Sequence, residues 1–240
     1  MQTGFKLFLT IFLITLSGLF GQEGGPPMLT DDARVADYKE WELNTSFNLS
    51  VTENNTVLSI PHLDLNYGIL PNLQLKIEAP LLLDFRKGDS SKTEIGDVIA
   101  GVKYRFLDEE KHLVSAATFP QYTLNNTRGF FLPVFIEKTF NQFLLGAGVA
   151  NFWGEDGRDH HEFGFLTGYR TTEKLHLMLE YYSIYNHHLV KGQNGFMNFG
   201  FRQELNESFF LMASLGTQLD APSGVEKEKI ISWVGLRTLF

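Results

Sequence analysis

The chain has no cysteine. That absence removes disulfides, thiol catalysis, cysteine-held metals and a cysteine-linked lipid anchor together. Basic blocks are missing as well. Lys and Arg total 20 against 28 Asp and Glu, for a net charge of −8, which argues against a nucleic-acid partner. After residue 20 no apolar run approaches the roughly 20 residues that a spanning helix needs. Gly146-Ala147-Gly148 lies in a strand-like stretch without the following helix of a dinucleotide loop. Histidines occur in Asp159-His160-His161-Glu162 and Asn186-His187-His188. Neighbours on a strand point to opposite faces, so these pairs read as loop residues rather than chelates. Neither a metal nor a cofactor is expected.

What the chain does have is alternation. Hydrophobic content is a moderate 43%, yet aromatics reach 14% with 22 Phe, which suits strands that are apolar on every second residue. Residues 1–21 read as a cleaved secretory signal: Lys6, an apolar stretch from Leu7 to Phe20, and the small Gly21. Residues 22–39 form a Gly/Pro-rich and then acidic lead-in that carries Asp31 and Asp32. About twelve strand-like segments follow over 40–240. In the first, Trp41, Leu43, Thr45, Phe47 and Leu49 oppose Glu42, Asn44, Ser46 and Asn48. The stretches 112–124 and 143–153 fit either phase. Tight turns at Pro71-Asn72, 108–111, Asn141-Gln142, 171–174 and 206–208 alternate with mostly longer loops. This pattern predicts a closed, all-β, antiparallel transmembrane β-barrel of about 12 strands, with short periplasmic turns and longer extracellular loops. The last strand ends on Phe240, the aromatic expected to serve as the signal to barrel-assembly machinery.

The charged phase decides which face meets lipid. An Arg or Lys on the lipid face costs about 2–4 kcal/mol near the midplane. Asp64, Lys76, Glu78, Lys103, Arg105, Glu137, Arg170, Glu180, Arg202, Glu204 and Arg237 are therefore expected to line the lumen. Trp41, Tyr67, Tyr104, Phe106, Phe140, Phe152, Trp153, Tyr169, Tyr185 and Trp233 fall near strand ends, where a lipid-facing aromatic belt is expected. Asp31 and Asp32 are candidates to fold into the lumen as a plug and pair with its arginines.

Several stretches resemble one family. Gly25-Pro26-Pro27-Met28-Leu29-Thr30-Asp31-Asp32 is similar to the Gly-Pro-Pro-x-x-Thr-Asp-Asp opening of the outer-membrane transporter family named for the MetA pathway of phenol degradation. His62 to Gln74, Gly96 to Phe106 and Leu132 to Lys138 resemble its later segments in order. Leu124-Asn125-Asn126 stands where that family often has Pro-Thr-Gly. The resemblance implies an exported barrel of the bacterial outer membrane whose partners are the lipid bilayer and a small, apolar or aromatic permeant, and no enzyme. Two other readings stay open. One is a closed structural or adhesive barrel. The other is a lipid hydrolase, using Ser183 near His187 and His188, or Ser115 near His112.

Overall fold

A computed structural model of the chain describes residues 26–157, 159–186, 193–221 and 225–240; the expected signal at 1–21 lies outside them. Among the described residues there is no helix. Twelve antiparallel strands form the wall: β1 (Trp41–Val51), β2 (Asn55–Leu70), β3 (Leu73–Arg86), β4 (Lys92–Ile95, resuming as Val98–Leu107), β5 (Ser115–Thr118, resuming as Gln121–Leu124), β6 (Gly129–Phe140), β7 (Phe143–Gly154), β8 (His160–Arg170), β9 (Leu175–Asn186), β10 (Gln193–Asn206), β11 (Phe209–Asp220) and β12 (Ile230–Leu239). Both parts of β4 pair with β3, and both parts of β5 pair with β6.

The sheet closes where β1 meets β12, from Glu42↔Leu239 to Val51↔Ile230. Phe240 extends that seam by two backbone bonds with Trp41, of 2.8 and 3.0 Å. Closure leaves no unpaired edge, and only such a sheet satisfies its backbone inside a bilayer. The gap in β5 falls at Pro120, which has no N–H to give to the ladder. Its neighbours bridge the gap: Phe119 N–H donates to Pro133 O at 3.1 Å and Val102 N–H to Pro120 O at 3.0 Å.

The outer face is apolar and exposed along every strand, with Ile77, Val102, Ile136, Val149, Leu179, Phe199, Leu215 and Val234 among its members. Rings cluster at both ends of this band. Trp41 and Tyr67 lie 4.5 Å apart and Phe143 and Tyr169 4.9 Å apart near the short turns, while Phe130 and Trp153 stack at 5.9 Å near the long loops. An arginine placed mid-strand on this face, as in Leu179→Arg, is expected to cost about 2–4 kcal/mol. Urea unfolding of the vesicle-embedded barrel measures it.

The interior differs from the expectation in one respect. Phe152 and Trp233 do not belong to the outer belt. Phe152 is buried and stacks on His160 at 4.8 Å, and Trp233 lines an internal cavity. Phe119, Phe135, Leu144, Leu166, Met178, Phe196 and Met212 are buried as well. The buried apolar side chains of the wall thus lie on β5 to β11, alongside the buried Glu137, Glu180 and Arg202, whereas Glu42, Asp64, Lys103 and Arg237 are buried on the wall from β12 through β1 to β4.

Candidate functional site: the occupied lumen

From residue 26 onward the lead-in runs inside the barrel. It leaves β1 at the short-turn end, where Tyr38 bridges Gly68 in parallel and Lys39 N–H donates to Gly68 O at 2.7 Å. From there it is held by side chains of widely separated strands. Ala36 N–H donates to Gln74 Oε1 at 2.6 Å. Lys103 Nζ donates to Asp32 at 2.7 Å and to Asp31 at 3.0 Å. The Arg34 guanidinium pairs with Glu42. Leu29 N–H donates to Glu180 Oε2 at 3.0 Å, and Thr30 N–H to the other oxygen of that carboxylate. Ser214 Oγ donates to Pro27 O at 2.8 Å.

Apolar packing supports these bonds. Met28 joins Leu144, Leu166 and Met178 in one buried cluster, and Ala33 is wholly inaccessible to solvent. Two wall glycines make room. A Cβ on Gly164 would fall 2.0 Å from Thr30 Oγ1, and one on Gly200 would fall 2.4 Å from Met28 Cε. The end of Met28 can give way, but at Gly200 the Ala213 carbonyl oxygen, 2.7 Å from such a Cβ, cannot. The Glu180 carboxylate, itself fully buried, also accepts from Asn198 Nδ2 at 2.7 Å. Bonds to a charged acceptor contribute about 1.5–3 kcal/mol. Glu180→Ala is therefore expected to speed amide exchange at Leu29 and Thr30 by about tenfold or more. Hydrogen-exchange mass spectrometry of the lead-in peptide reads this out.

The charged wall is a connected network. Arg237 Nε lies 3.3 Å from Glu42 and donates to Asn44 Oδ1 at 3.0 Å. Asn44 Nδ2 donates to Asp64 Oδ2 at 3.1 Å, and Lys76 Nζ lies 3.3 Å from Asp64 and 3.2 Å from Glu78. His62 lies 2.7 Å from Glu78. Asp31 and Asp32 bond the Lys103 ammonium, and the Arg34 and Arg237 guanidiniums act on Asp32 as well. Burial pushes the Asp32 carboxyl up, but the Lys103 ammonium and the Arg34 and Arg237 guanidiniums outweigh it and hold Asp32 well below the ordinary carboxylate range. A depressed native pKa stabilises above the unfolded value and is lost only as pH falls through the native one. Docking of the lead-in should hence survive mild acid, near pH 5, and fail only in strong acid. Limited proteolysis across pH with an acid-tolerant protease checks it.

The other lumen candidates are distributed along the bore. Glu137 is buried on β6. Arg105 sits at the short-turn mouth, 3.4 Å from Asp108 and 3.3 Å from Pro71 O. Glu204 lies 3.7 Å from Lys174. Arg170, Arg202 and Arg237 face a cavity of about 770 Å³ at that same end. A second cavity, of about 280 Å³, lies on the long-loop side, between the lead-in and the aromatic rings of Phe119, Phe131, Phe135 and Tyr182. Sharing residues with both is a narrow polar waist of about 20 Å³ between the lead-in and the wall from β12 through β1 to β4, lined by Asp31, Asp32, Arg34, Glu42, Lys103 and Arg237.

Of the hydrolase candidates, the structure describes both partners only for Ser115 and His112. Ser183 is buried, although it falls on the strand phase of the exposed Leu179 and Tyr185. His187 and His188 lie outside the described residues. Ser115 Oγ accepts the Glu109 N–H at 3.1 Å, and His112 is exposed. His160 pairs with Glu162 at 3.0 Å, and Glu162 accepts from the Tyr182 hydroxyl. Among the described residues no group of three or more His, Asp or Glu is disposed to hold a metal ion.

Solved structures share this architecture. The outer membrane channel from Pseudomonas putida F1 is 12% identical, with 91% of this chain and 100% of that one covered and a TM-score of 0.72. The NanC porin is 10% identical over 82% of this chain and 99% of its own, with a TM-score of 0.63. The KdgM porin is 9% identical over 82% and 99%, with a TM-score of 0.53. No family model and no curated protein matches the chain. At such identities the likeness concerns the fold, which is that of a twelve-stranded outer-membrane β-barrel.

Proposed function

We propose that the chain is a passive outer-membrane channel for small molecules, with residues 26–39 as a plug that sets its resistance. The observation that carries this reading is the sequence of spaces along the bore: about 280 Å³, then about 20 Å³, then about 770 Å³. Two chambers of molecular size meet at a waist made largely of the lead-in and its ion pairs. A bore without function would be expected to fill with wall side chains, as small barrels do. Here wall glycines instead leave space for a segment that is not part of the wall.

The two-sided interior supports a permeant with a ring and a polar substituent. Apolar rings line one side and hydrogen-bonding groups the other, within reach of a single small molecule. The resemblance to the phenol-degradation transporter family agrees with that class. The fold neighbours bear the names of channels and porins, which agrees with passive transport and not with catalysis. Export through a cleaved signal and insertion by the assembly machinery complete this reading.

Solute-swelling of liposomes carrying the refolded full-length chain tests it, with phenol-sized solutes and sugars compared. Uptake of the small aromatic above that of empty liposomes is the expected result. Liposomes impermeable to every solute, both with and without residues 26–36, would establish the closed structural barrel instead.

A further inference from the structure

The two chambers carry opposite fixed charge. Among the described residues, Asp31, Asp64, Glu78 and Glu162 face the long-loop chamber against the single ammonium of Lys76, with His62 beside it. At the short-turn end the order is inverted: Arg34, Arg170, Lys174, Arg202 and Arg237 face the chamber against Glu173 and Glu204, with His176 beside Arg202. The waist joins the two signs, since it is lined by Asp31, Asp64 and Lys76 from one side and by Arg34 and Arg237 from the other. Fixed charges in a narrow low-dielectric bore focus their field on the solution inside it. The screening length at physiological salt, about 8 Å, is comparable to the width of such chambers, so this field fills them.

The geometry points to a polarised bore in which the short-turn chamber is a binding site for small organic anions, carboxylates or phosphates, and the long-loop chamber gathers cations. Arg170 and Arg202 supply planar donors suited to bidentate contact with a carboxylate or phosphate. Once the waist is open, the two zones act in series. With the long-loop side held positive, cations flow in from the zone that concentrates them and anions from the zone that concentrates those, so current is high. With the sign reversed, both carriers are drawn away from the junction and current falls. The barrel then rectifies. This inference deepens the channel reading and names the anion as the class held at the short-turn end.

Two measurements separate the failure of this inference from the failure of the channel reading. The first needs no conduction. Titration of benzene-1,3,5-tricarboxylate into the detergent-solubilised full-length chain is expected to show binding that weakens about tenfold in Arg170→Gln/Arg202→Gln. Benzyltrimethylammonium should be unaffected by that change. Lys174→Gln, at a half-exposed position, gives a milder loss should the double variant fail to fold. Absent binding, or binding indifferent to all three substitutions, overturns the proposal. The second measurement is the current–voltage curve of the chain lacking residues 26–36, expected to be steeper with the long-loop side positive and to flatten in Arg170→Gln/Arg202→Gln. A conducting but symmetric pore overturns rectification. A silent pore counts against the channel reading, while the titration still decides the anion site.

Discussion

Deleting residues 26–36 is expected to raise single-channel conductance severalfold. The segment contributes Asp31, Asp32 and Arg34 to a waist with about 20 Å³ of free space, and it is the only part of that waist outside the barrel wall among the described residues. Nothing in the wall depends on it for backbone pairing, since each strand bonds to its two neighbours and the bridge at Gly68 is made by Tyr38, which the deletion leaves in place. The side chains left behind, Lys103, Glu180 and Gln74, gain water in place of lead-in partners, and hydrated charges line a bore without blocking it. Planar-bilayer recording of the two chains gives the answer. Equal conductance would mean that the resistance lies in the wall network and not in the lead-in.

The second large effect is expected from Lys103→Met, a change close to isosteric along the stem. Lys103 is buried on β4 and its ammonium bonds both Asp31 and Asp32. Removing one side of a buried ion pair costs about 3–5 kcal/mol, because the other side stays buried without its counter-charge. The two carboxylates should leave for water and take the lead-in with them. Protease cutting within residues 26–39 and a rise in conductance should follow together. The triple change Asp31→Asn/Asp32→Asn/Lys103→Met should restore protection in part, since loss of both partners is milder than loss of one. If the single variant stays closed and protected, the anchoring resides in Glu180 and the apolar contacts instead.

Much of this architecture can be read from residues alone, and the reason is physical. Lipid forbids ionised groups, so β1 to β4 alternate sharply and declare their phase: Glu42, Asn44, Asp64, Gln74 and Lys103 are buried, while Leu75, Val102 and Tyr104 are exposed. The stretch 143–153 does not declare it, because it is apolar on both faces, and 112–124 does not because its strand is broken at Pro120. On β7, Leu144, Ala150 and Phe152 are buried while Leu145, Val149 and Trp153 are exposed. The inward members of that set pack against other parts of the interior, Leu144 against Met28 and Phe152 against His160. A hydrophobic partner inside the bore erases the contrast on which phase depends. The same fact explains why the rings of Phe152 and Trp233 look like lipid-belt residues by position alone. The one available clue was the glycines of the inner phase, Gly148, Gly164 and Gly200, whose missing side chains leave space next to Met28 and Thr30. The link from Lys103 to two aspartates some seventy residues upstream has no local signature at all.

The seam at which Glu42 to Val51 meet Ile230 to Leu239 involves no residue of the inner segment. Frame and insert therefore answer to different pressures. Drift in the sequence of residues 26–36 can retune what passes without endangering how the cylinder is built, and repairs to the cylinder need not disturb the tuning.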